Sequence, residues 1–268
     1  MLSLDHLGLV GASIVPLRQS WVDRGFCVTE PEALMALDPR TGQRVPLGQQ
    51  SCHIIFERGY IELTAVDPPV TPEHHLYPWI YPWIRDTPTH ADAALAIIAI
   101  GAEDIDGVHA RLAAAGLPVG TLAQASRPIH YGVRRGAALF RWFMLGAAST
   151  PESLVCFVRN ERPELIFQPE VQQHPNGARA LESVILCSNE PEAIAARYAG
   201  YADTAVVDVA PGLVRCALDG GVVWVGTAAA LEVHFGEAIE HSPGDAPRAV
   251  GFGVTPDRIY WVSKGNGR

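Results

Sequence analysis

The sequence predicts an α+β protein made of tandem βαβββ modules, and three observations support this fold class. A pattern of strand, helix, glycine and strand occurs three times along the chain. Each helical segment carries apolar residues on one face and has a glycine near its end. The other apolar runs are short and separated by turn residues, which is typical of strands. With 268 residues, 48% of them hydrophobic, the chain can build one large core or two smaller ones.

The first unit lies at the N-terminus. A helix is predicted over residues 13–24, because Ile14, Leu17 and Trp21 share one helical face and Gly25 is a favourable stop. The strands of this unit are predicted at residues 4–11, 26–28, 53–56 and 60–63.

The second and third units repeat this order. Asp104 caps a helix that ends at Gly116, and Asn189 caps one that ends at Gly200. The second unit has predicted strands at residues 95–101, 117–119, 138–144 and 154–158, and the third at 183–187, 205–209, 213–218 and 222–225. An apolar run at residues 248–254 begins a truncated fourth unit.

We expect two domains. The first, residues 1–170, holds the modules 1–66 and 93–160, and the second, residues 171–268, holds the third module and the start of the fourth. The linker between the first two modules is rich in proline and aromatic residues, so it is predicted to cover a core edge or a pocket without regular ladder pairing.

Composition excludes several classes of function. A net charge of −9 without a basic run argues against nucleic acid as a partner, and the apolar runs are too short to span a membrane. The single lysine, Lys264, lies near the chain end, so Schiff-base chemistry on a core lysine is not expected. Phosphate-loop and dinucleotide glycine motifs are missing, so we expect no nucleotide cofactor. Five widely spaced cysteines and no evident signal peptide favour reduced thiols and a cytoplasmic location.

Three local phrases carry a resemblance to a known superfamily. They are Asp5-His6, Gly59-Tyr60-Ile61-Glu62-Leu63 and His174-Pro175-Asn176-Gly177-Ala178. Together with the repeated βαβββ units they resemble the vicinal oxygen chelate superfamily of glyoxalases, bleomycin-resistance proteins and extradiol dioxygenases, and in particular its glyoxalase-like subgroup. The resemblance implies curved mixed sheets that form an open cup with helices on the outside. It also implies a divalent metal (Fe, Mn, Zn or Ni) held in the cup by His and Glu, and a homodimer.

His6 and Glu62 are the predicted catalytic pair. Alternation along the two strands places each side chain on one face, so the two can meet inside one cup. A carboxylate in an apolar strand is costly unless it is paired or used, which favours a functional role for Glu62. The pair would either transfer protons or hold the metal.

Four further residues are candidates for the site. His174 is a catalytic candidate and Asn176 a substrate-binding one, although Pro-Asn-Gly is also an ordinary turn. Arg127 precedes the Pro128 turn, where the rim of the cup is expected, and Arg141 lies inside a predicted strand. Either arginine could hold a carboxylate or phosphate through its guanidinium.

The second unit departs from the family pattern. Aligning Gly11 with Gly101 puts Ala96 where a second histidine is expected, and aligning the fourth strands puts Cys156 or a neighbour where a second glutamate is expected. Two ligands are too few for firm metal binding unless His53 or His174 joins them.

Three functions therefore stay open. The first is a lyase, isomerase or dioxygenase acting on an oxygen-rich or carboxylated small molecule. The second is a non-catalytic ligand-binding protein of the resistance type, and the third is a structural protein with a vestigial cup. Turnover would identify the first, and tight binding without turnover the second.

Overall fold

The chain folds into two mixed β-sheets that share one hydrophobic core. The computed structural model describes residues 1–37, 41–66, 93–239, 247–255 and 258–262. These residues form fourteen strands and five α-helices. A single buried apolar cluster includes Leu4 and Leu9 of the first sheet and Val184 and Phe252 of the second. The α+β class and the βαβββ modules are confirmed.

The first sheet contains two modules placed back to back. Its strand order is β2-β3-β4-β1-β5-β8-β7-β6, with β1 parallel to β4, β5 parallel to β8, and β1 antiparallel to β5. The strands are β1 (Leu2–Gly11), β2 (Glu32–Leu37), β3 (Arg44–Ile55), β4 (Tyr60–Val66), β5 (Ala94–Ala102), β6 (Ala123–Ile129), β7 (Gly136–Met144) and β8 (Leu154–Asn160).

The second sheet contains the third module and two strands of a fourth. Its order is β10-β11-β12-β9-β13-β14, with β9 parallel to β12 and antiparallel to β13. The strands are β9 (Ser183–Cys187), β10 (Val206–Ala210), β11 (Leu213–Leu218), β12 (Gly221–Gly226), β13 (Arg248–Thr255) and β14 (Arg258–Trp261). The division into domains at residue 170 stays a prediction.

The helices begin and end largely where the sequence indicates. The first buries Ile14, Leu17 and Trp21, and the second is capped by Asp104, whose carboxylate accepts a hydrogen bond from the backbone N–H of Gly107 at 3.0 Å. The helices are α1 (Ile14–Asp23), α2 (Ile105–Ala114), α3 (Pro163–Ile166), α4 (Pro191–Ala202) and α5 (Ala228–Phe235). None of the described helices is long and apolar enough to cross a membrane.

Two predicted strands are wrong: side chains take the backbone groups of the first, and the second bonds locally to the end of α2. The predicted strand 26–28 is extended but unpaired: Arg18 donates to the carbonyls of Val28 and Thr29, and the N–H of Cys27 donates to His174. The predicted strand 117–119 retains one isolated bridge, from Val119 to Leu145. The second strands of these modules lie further along, as β2 and β6.

Helix α4 extends beyond its predicted end. It begins after Glu190 rather than Asn189 and continues through Gly200 to Ala202. Glycine inside a helix costs about 1 kcal/mol, but the extra turn buries Tyr201 to 2% exposure, and burying such a ring contributes more than that. The proline-rich linker, including His74 and His75, lies outside the described residues.

The first sheet is strongly curved. Its two edge strands, β2 and β6, contact each other, so the sheet forms a half-barrel with an inner concave face. The convex face carries Leu7, Leu9 and Ile54 and packs into the shared core. The concave face, called the cup below, is where the polar side chains collect.

The turn between β3 and β4 requires glycine for two reasons, which gives a testable prediction. Gly59 has φ +74°, and an added Cβ would meet Leu181 Cβ at 2.9 Å and the carbonyl oxygen of Asp5 at 3.0 Å. We expect Gly59→Ala to lower the free energy of unfolding by about 2–4 kcal/mol in urea titrations, since a left-handed conformation and overpacking both act.

The matched control is Gly116→Ala. Gly116 has φ +78° but nothing within 4 Å of an added Cβ. Gly116→Ala should lower the free energy of unfolding by only about 1 kcal/mol, because the left-handed conformation is disfavoured but nothing is overpacked. Equal losses at the two sites would contradict the close approach at Gly59.

Candidate functional site

A row of polar side chains follows β4 along the cup. Tyr60, Glu62 and Thr64 alternate with Ile61 and Leu63, which face the shared core. The row continues across the sheet, because His53 of β3 is the partner of Glu62 and Ser51 is the partner of Thr64. The hydroxyl oxygens of Ser51 and Thr64 are 2.8 Å apart. Because strand partners have neighbouring side chains, His53 and Glu62 lie side by side.

His6 faces the same side of the sheet as Glu62. Its strand partner is Tyr60, and the two rings stack with centroids 4.4 Å apart at an angle of 15°. Glu62 is two residues further along β4 on the same face, about 7 Å away along the strand. The structure therefore brings His6 and Glu62 into one cup.

Asp5 bonds to the outer side of His6, and Asn160 bonds to Asp5. Asp5 Oδ1 lies 2.7 Å from His6 Nδ1, and Asn160 Nδ2 donates to Asp5 Oδ2 at 2.8 Å. Asp5 and Asn160 also line a cleft of about 610 Å³ at the end of β1, together with Phe167. The chain of hydrogen bonds thus runs from this cleft to the imidazole.

Arg127 enters the cup from the opposite edge of the sheet. It is 7% exposed, and its Nη1 donates to His53, with His53 Nδ1 at 2.6 Å and His53 Nε2 also in contact. Accepting from a guanidinium requires a neutral imidazole, and burial, followed by the charge of Arg127, holds the pKa of His53 well below its usual value. Arg127 Nη2 is buried and lacks a hydrogen-bond partner among the described residues.

Apart from Arg127, the half of the cup supplied by the second module is apolar. Its wall consists of Ala99, Met144, Leu154, Cys156 and Val158, with Ile97, Phe140 and Trp142 packed against them. Burial, with the charges of Asp5 and Glu62 nearby, raises the pKa of the Cys156 thiol, so this group stays protonated and behaves as an apolar side chain.

The register between β1 and β5 corrects one expectation. His6 pairs with Ala99 and Gly8 pairs with Ile97. Ala96 has no partner in this ladder, just as Asp5 has none, and Ile97 follows Ala96 as His6 follows Asp5. Ile97, and not Ala96, therefore occupies the counterpart of His6. Cys156 pairs with Ala99 as Glu62 pairs with Gly8, so it does occupy the counterpart of Glu62.

Residues 163–171 cover part of the cup. Leu165 and Ile166, with Phe167 beside them, pack on Ile55 and Tyr60. Gln168 anchors this cover, because it is 1% exposed, its Nε2 donates to the carbonyls of Leu165, Tyr131 and Arg134, and its Oε1 accepts from the Arg134 N–H at 2.7 Å. Electrostatic interactions in the covered cup are therefore weakly screened by water.

The donor set of the cup does not fit a divalent metal. The described residues contain no group of three or more His, Cys, Asp and Glu side chains placed to hold one. The guanidinium of Arg127 lies against His53, where its charge opposes a second cation. The Fe, Mn, Zn or Ni centre expected on His6 and Glu62 would need ligands beyond these described side chains.

His174 and Asn176 lie on the other side of β3. His174 Nδ1 accepts from the N–H of Cys27 and its Nε2 donates to the carbonyl of Ile55, both at 3.0 Å, between Phe26 and Phe56. Burial lowers the pKa of His174. Asn176 Nδ2 donates to the carbonyl of Arg24 and the hydroxyl of Tyr260. These bonds tie residues 174–178 to the end of α1. His174 and Asn176 therefore lie apart from the side chains of the cup.

Arg141 is directed away from the cup. Its guanidinium makes a two-pronged bond to Asp106 of α2 at 2.6 and 2.7 Å, on the helical side of β7. That carboxylate raises the pKa of Arg141, and the guanidinium lowers the pKa of Asp106. Of the two arginines predicted from the sequence, the structure brings only Arg127 to His6 and Glu62.

Residues 4–202 match the model of the glyoxalase-like domain family, which is more than half of the sequence. This chain belongs to the glyoxalase-like domain family. The matched segment includes every side chain of the cup described above.

Two solved structures show the same fold as this glyoxalase-like protein. A hypothetical protein from Staphylococcus aureus superposes with a TM-score of 0.65 over 85% of this chain and 86% of its own, at 13% identity. A triple mutant of 4-hydroxymandelate synthase from Streptomyces coelicolor superposes with a TM-score of 0.51 over 93% of this chain and 69% of its own, also at 13% identity. The vicinal oxygen chelate superfamily expected from the sequence is confirmed. Comparison with proteins of curated function gave no match.

Sequence reasoning underrated two residues of the cup. His53 sits among apolar neighbours in the sequence, and Tyr60 reads as an ordinary strand aromatic. Alternation could have found both, since His53, Tyr60 and Glu62 occupy the same face of one hairpin. The bulge that turns Asp5 beside His6 leaves no comparable signal in the sequence.

The neutral buried histidines predict a pH dependence of stability. His53 and His174 have folded pKa values below the unfolded value of about 6.5. The stabilisation that comes from keeping these two histidines neutral is complete above about pH 6.5. It is lost as the pH falls towards their pKa values in the folded protein, by at most about 1.4 kcal/mol per pH unit for each histidine.

Urea titrations between about pH 7.5 and about pH 5.5 measure this slope. His53→Gln and His174→Gln should each be less stable than the natural protein at neutral pH but show a smaller slope. A slope unchanged in both variants would contradict the assignment of neutral imidazoles.

Proposed function

We propose that this glyoxalase-like protein is an enzyme that moves a proton on a small carboxylated molecule. Arg127 holds the carboxylate, and Glu62 and His6 remove and return the proton. The observation that supports this proposal most directly is the buried, unpartnered Nη2 of Arg127 in the same cup as His6 and Glu62.

A buried guanidinium is costly unless it is paired with an anion. The neutral ring of His53 accepts a hydrogen bond from Arg127, and the neutral phenol of Tyr131 also interacts with the guanidinium. Both groups orient it without neutralising its charge. The half-buried Glu32 of β2 lies close enough to feel the charge of Arg127, although burial is the larger effect and raises the pKa of Glu32. A substrate carboxylate bound at Nη2 would supply the missing charge and the missing hydrogen bond.

The proton-transfer step needs a base and a group that stabilises negative charge. Glu62 or His6 removes a proton from the carbon next to the carbonyl carbon, so that the C–H electron pair moves onto the oxygen. Burial, and then the charge of Asp5, raise the pKa of Tyr60 well above its usual value, so its phenol stays protonated and can donate to that oxygen. Return of the proton to the same or a neighbouring carbon gives a racemised or isomerised product.

The apolar half of the cup selects the body of the substrate. Ile97, Phe140 and Trp142 border the buried wall formed around Cys156. A hydrocarbon or aromatic group fits there, because burying apolar surface contributes about 25 cal/mol per Å². We therefore favour carboxylates with an apolar body, and a lyase or isomerase whose step is the proton transfer on Glu62 and His6.

A second candidate is a non-catalytic protein that binds a small ligand. Ile97 and Cys156 at the counterparts of His6 and Glu62 favour it, since half of the paired polar positions are apolar. It shares the carboxylate site and differs in having no proton transfer, so the following two experiments separate the candidates.

Binding tests the role of Arg127. Calorimetry with 3-phenylpropionate should show binding that is lost with the neutral amide of the same acid. Arg127→Gln should weaken binding about tenfold to about a hundredfold, since a hydrogen bond to a charged group contributes about 1.5–3 kcal/mol. Arg141→Gln, which removes an arginine bonded to Asp106 outside the cup, should change it less than twofold. Equal weakening in both variants would contradict the assignment.

Hydrogen exchange tests the proton transfer. In D₂O the protein should replace the α-protons of arylalkanoic 2-oxo acids with deuterium, followed by NMR. Glu62→Gln keeps the shape of the side chain but removes the base, so exchange should slow by at least about a hundredfold while binding persists. Exchange at the natural rate in Glu62→Gln would assign the step elsewhere, and binding without exchange in the natural protein would establish the second candidate.

A further inference from the structure

The structure points to Asp5, braced by Asn160, as the residue that fixes the tautomer of His6 and leaves Nε2 as its basic atom. Asp5 is thus a positioning residue. Its effect on the tautomer stands by itself, whereas its effect on catalysis rests on the proposed function. In this arrangement the adjacent residues Asp5 and His6 act together on one side of the sheet.

A β-bulge makes the contact between Asp5 and His6 possible. Leu4 pairs with Ile100 and His6 pairs with Ala99, so Asp5 is an extra residue in β1 without a partner in that ladder. In a regular strand its side chain would point away from that of His6. The bulge instead places Asp5 Oδ1 2.7 Å from His6 Nδ1.

The chemistry of the two contacts fixes the position of the proton. A carboxylate only accepts, so His6 Nδ1 donates to Asp5 and carries the hydrogen. Nε2 of the neutral ring then has the lone pair, and it is the nitrogen that can take a proton. Stacking on Tyr60 holds the plane of the ring.

Asn160 completes the brace from the second module. Its Nδ2 donates to Asp5 Oδ2 at 2.8 Å, so both oxygens of Asp5 are engaged. The side chains of Asp5 and His6 are each 11% exposed, so water competes weakly for these bonds. The bonds also connect β1 to β8, which ties the orientation of the base to the assembly of both modules.

Other charged or titratable groups face His6 without bonding to its Nδ1. Tyr60 and Glu62 lie on β4, and His53 on β3 has its pKa lowered in part by His6. Arg127 approaches from β6, and Cys156 lies on β8. The tautomer is therefore assigned to Asp5, which makes the direct bond.

The experiment exchanges the carboxylate and the amide of the brace. In Asp5→Asn the new amide should present its oxygen to Asn160 Nδ2, because turning the Asn160 amide to offer its own oxygen would leave its NH₂ without an acceptor in the buried position that Oδ1 now occupies. Its NH₂ then faces His6 Nδ1 and forces the hydrogen onto Nε2. In the double variant Asp5→Asn/Asn160→Asp the carboxylate at 160 accepts the NH₂, so the amide oxygen turns back to His6 and the natural tautomer returns. The net charge of the double variant equals that of the natural protein.

Long-range ¹H–¹⁵N correlation spectra of ¹⁵N-histidine protein read the tautomer at a pH where the ring is neutral. The natural protein and the double variant should show the hydrogen on Nδ1 of His6, and Asp5→Asn should show it on Nε2. His6→Gln identifies the signal. Asp23→Asn, the same change at an exposed aspartate that bonds to Gln19, should leave the tautomer unchanged.

Exchange in D₂O measures the functional consequence. Asp5→Asn should slow α-proton exchange by at least about a hundredfold, and the double variant should recover most of the rate. A hydrogen on Nε2 in the natural protein, or an unchanged tautomer in folded Asp5→Asn, would overturn the brace whatever the activity. If Asp5→Asn does not fold, the tautomer of the natural protein and of the double variant still decides.

The two proposals fail in different ways. Suppose that the hydrogen lies on Nδ1 in the natural protein and the double variant and on Nε2 in Asp5→Asn, but the natural protein exchanges no α-proton. This result would support the role of Asp5 and contradict the proposed function. Exchange by the natural protein without a change of tautomer in Asp5→Asn contradicts the brace alone.

Discussion

The antiparallel pairing of β1 with β5 is the constraint on which the rest of the structure depends. It joins two modules into one curved sheet, and its register decides which side chains meet. The bulge at Asp5 is part of that register, as is the place of Ile97 beside Gly8. A shift of one residue would exchange the two faces of β1 and send His6 into the apolar core.

The cup has two unlike halves, although its modules repeat one another. The first module contributes His6, His53, Tyr60 and Glu62, whereas the corresponding wall of the second is lined by aliphatic side chains and the thiol of Cys156. Duplication of a module supplies the geometry of a site twice, but only one copy carries this row of polar side chains, and the second adds Arg127 from its edge strand. The second copy can then serve as a surface that excludes water and accepts an apolar group.

Much of the fold follows from local pattern. The strand runs, the helix faces and the capping by Asp104 are short-range features, and they predict the module order and its incomplete fourth repeat. The site follows only in part. Alternation places His6 and Glu62 on the proper faces, but the approach of Arg127 to His53 depends on the curvature of the sheet, which no local signal records. His174 is the opposite case. It lies in a segment that resembles the family pattern, but its imidazole bonds to two distant backbone segments.

The buried amide of Gln168 has a consequence for the rates at which a small ligand binds and dissociates. Three hydrogen bonds join its side chain to Tyr131 and Arg134 and hold residues 163–171 over the cup, and a fourth, to the carbonyl of Leu165, lies within that segment. A molecule that leaves past this segment must wait until several of these bonds open together, which is a local unfolding event rather than simple diffusion. Along that path the opening frequency of the segment limits how fast the molecule leaves.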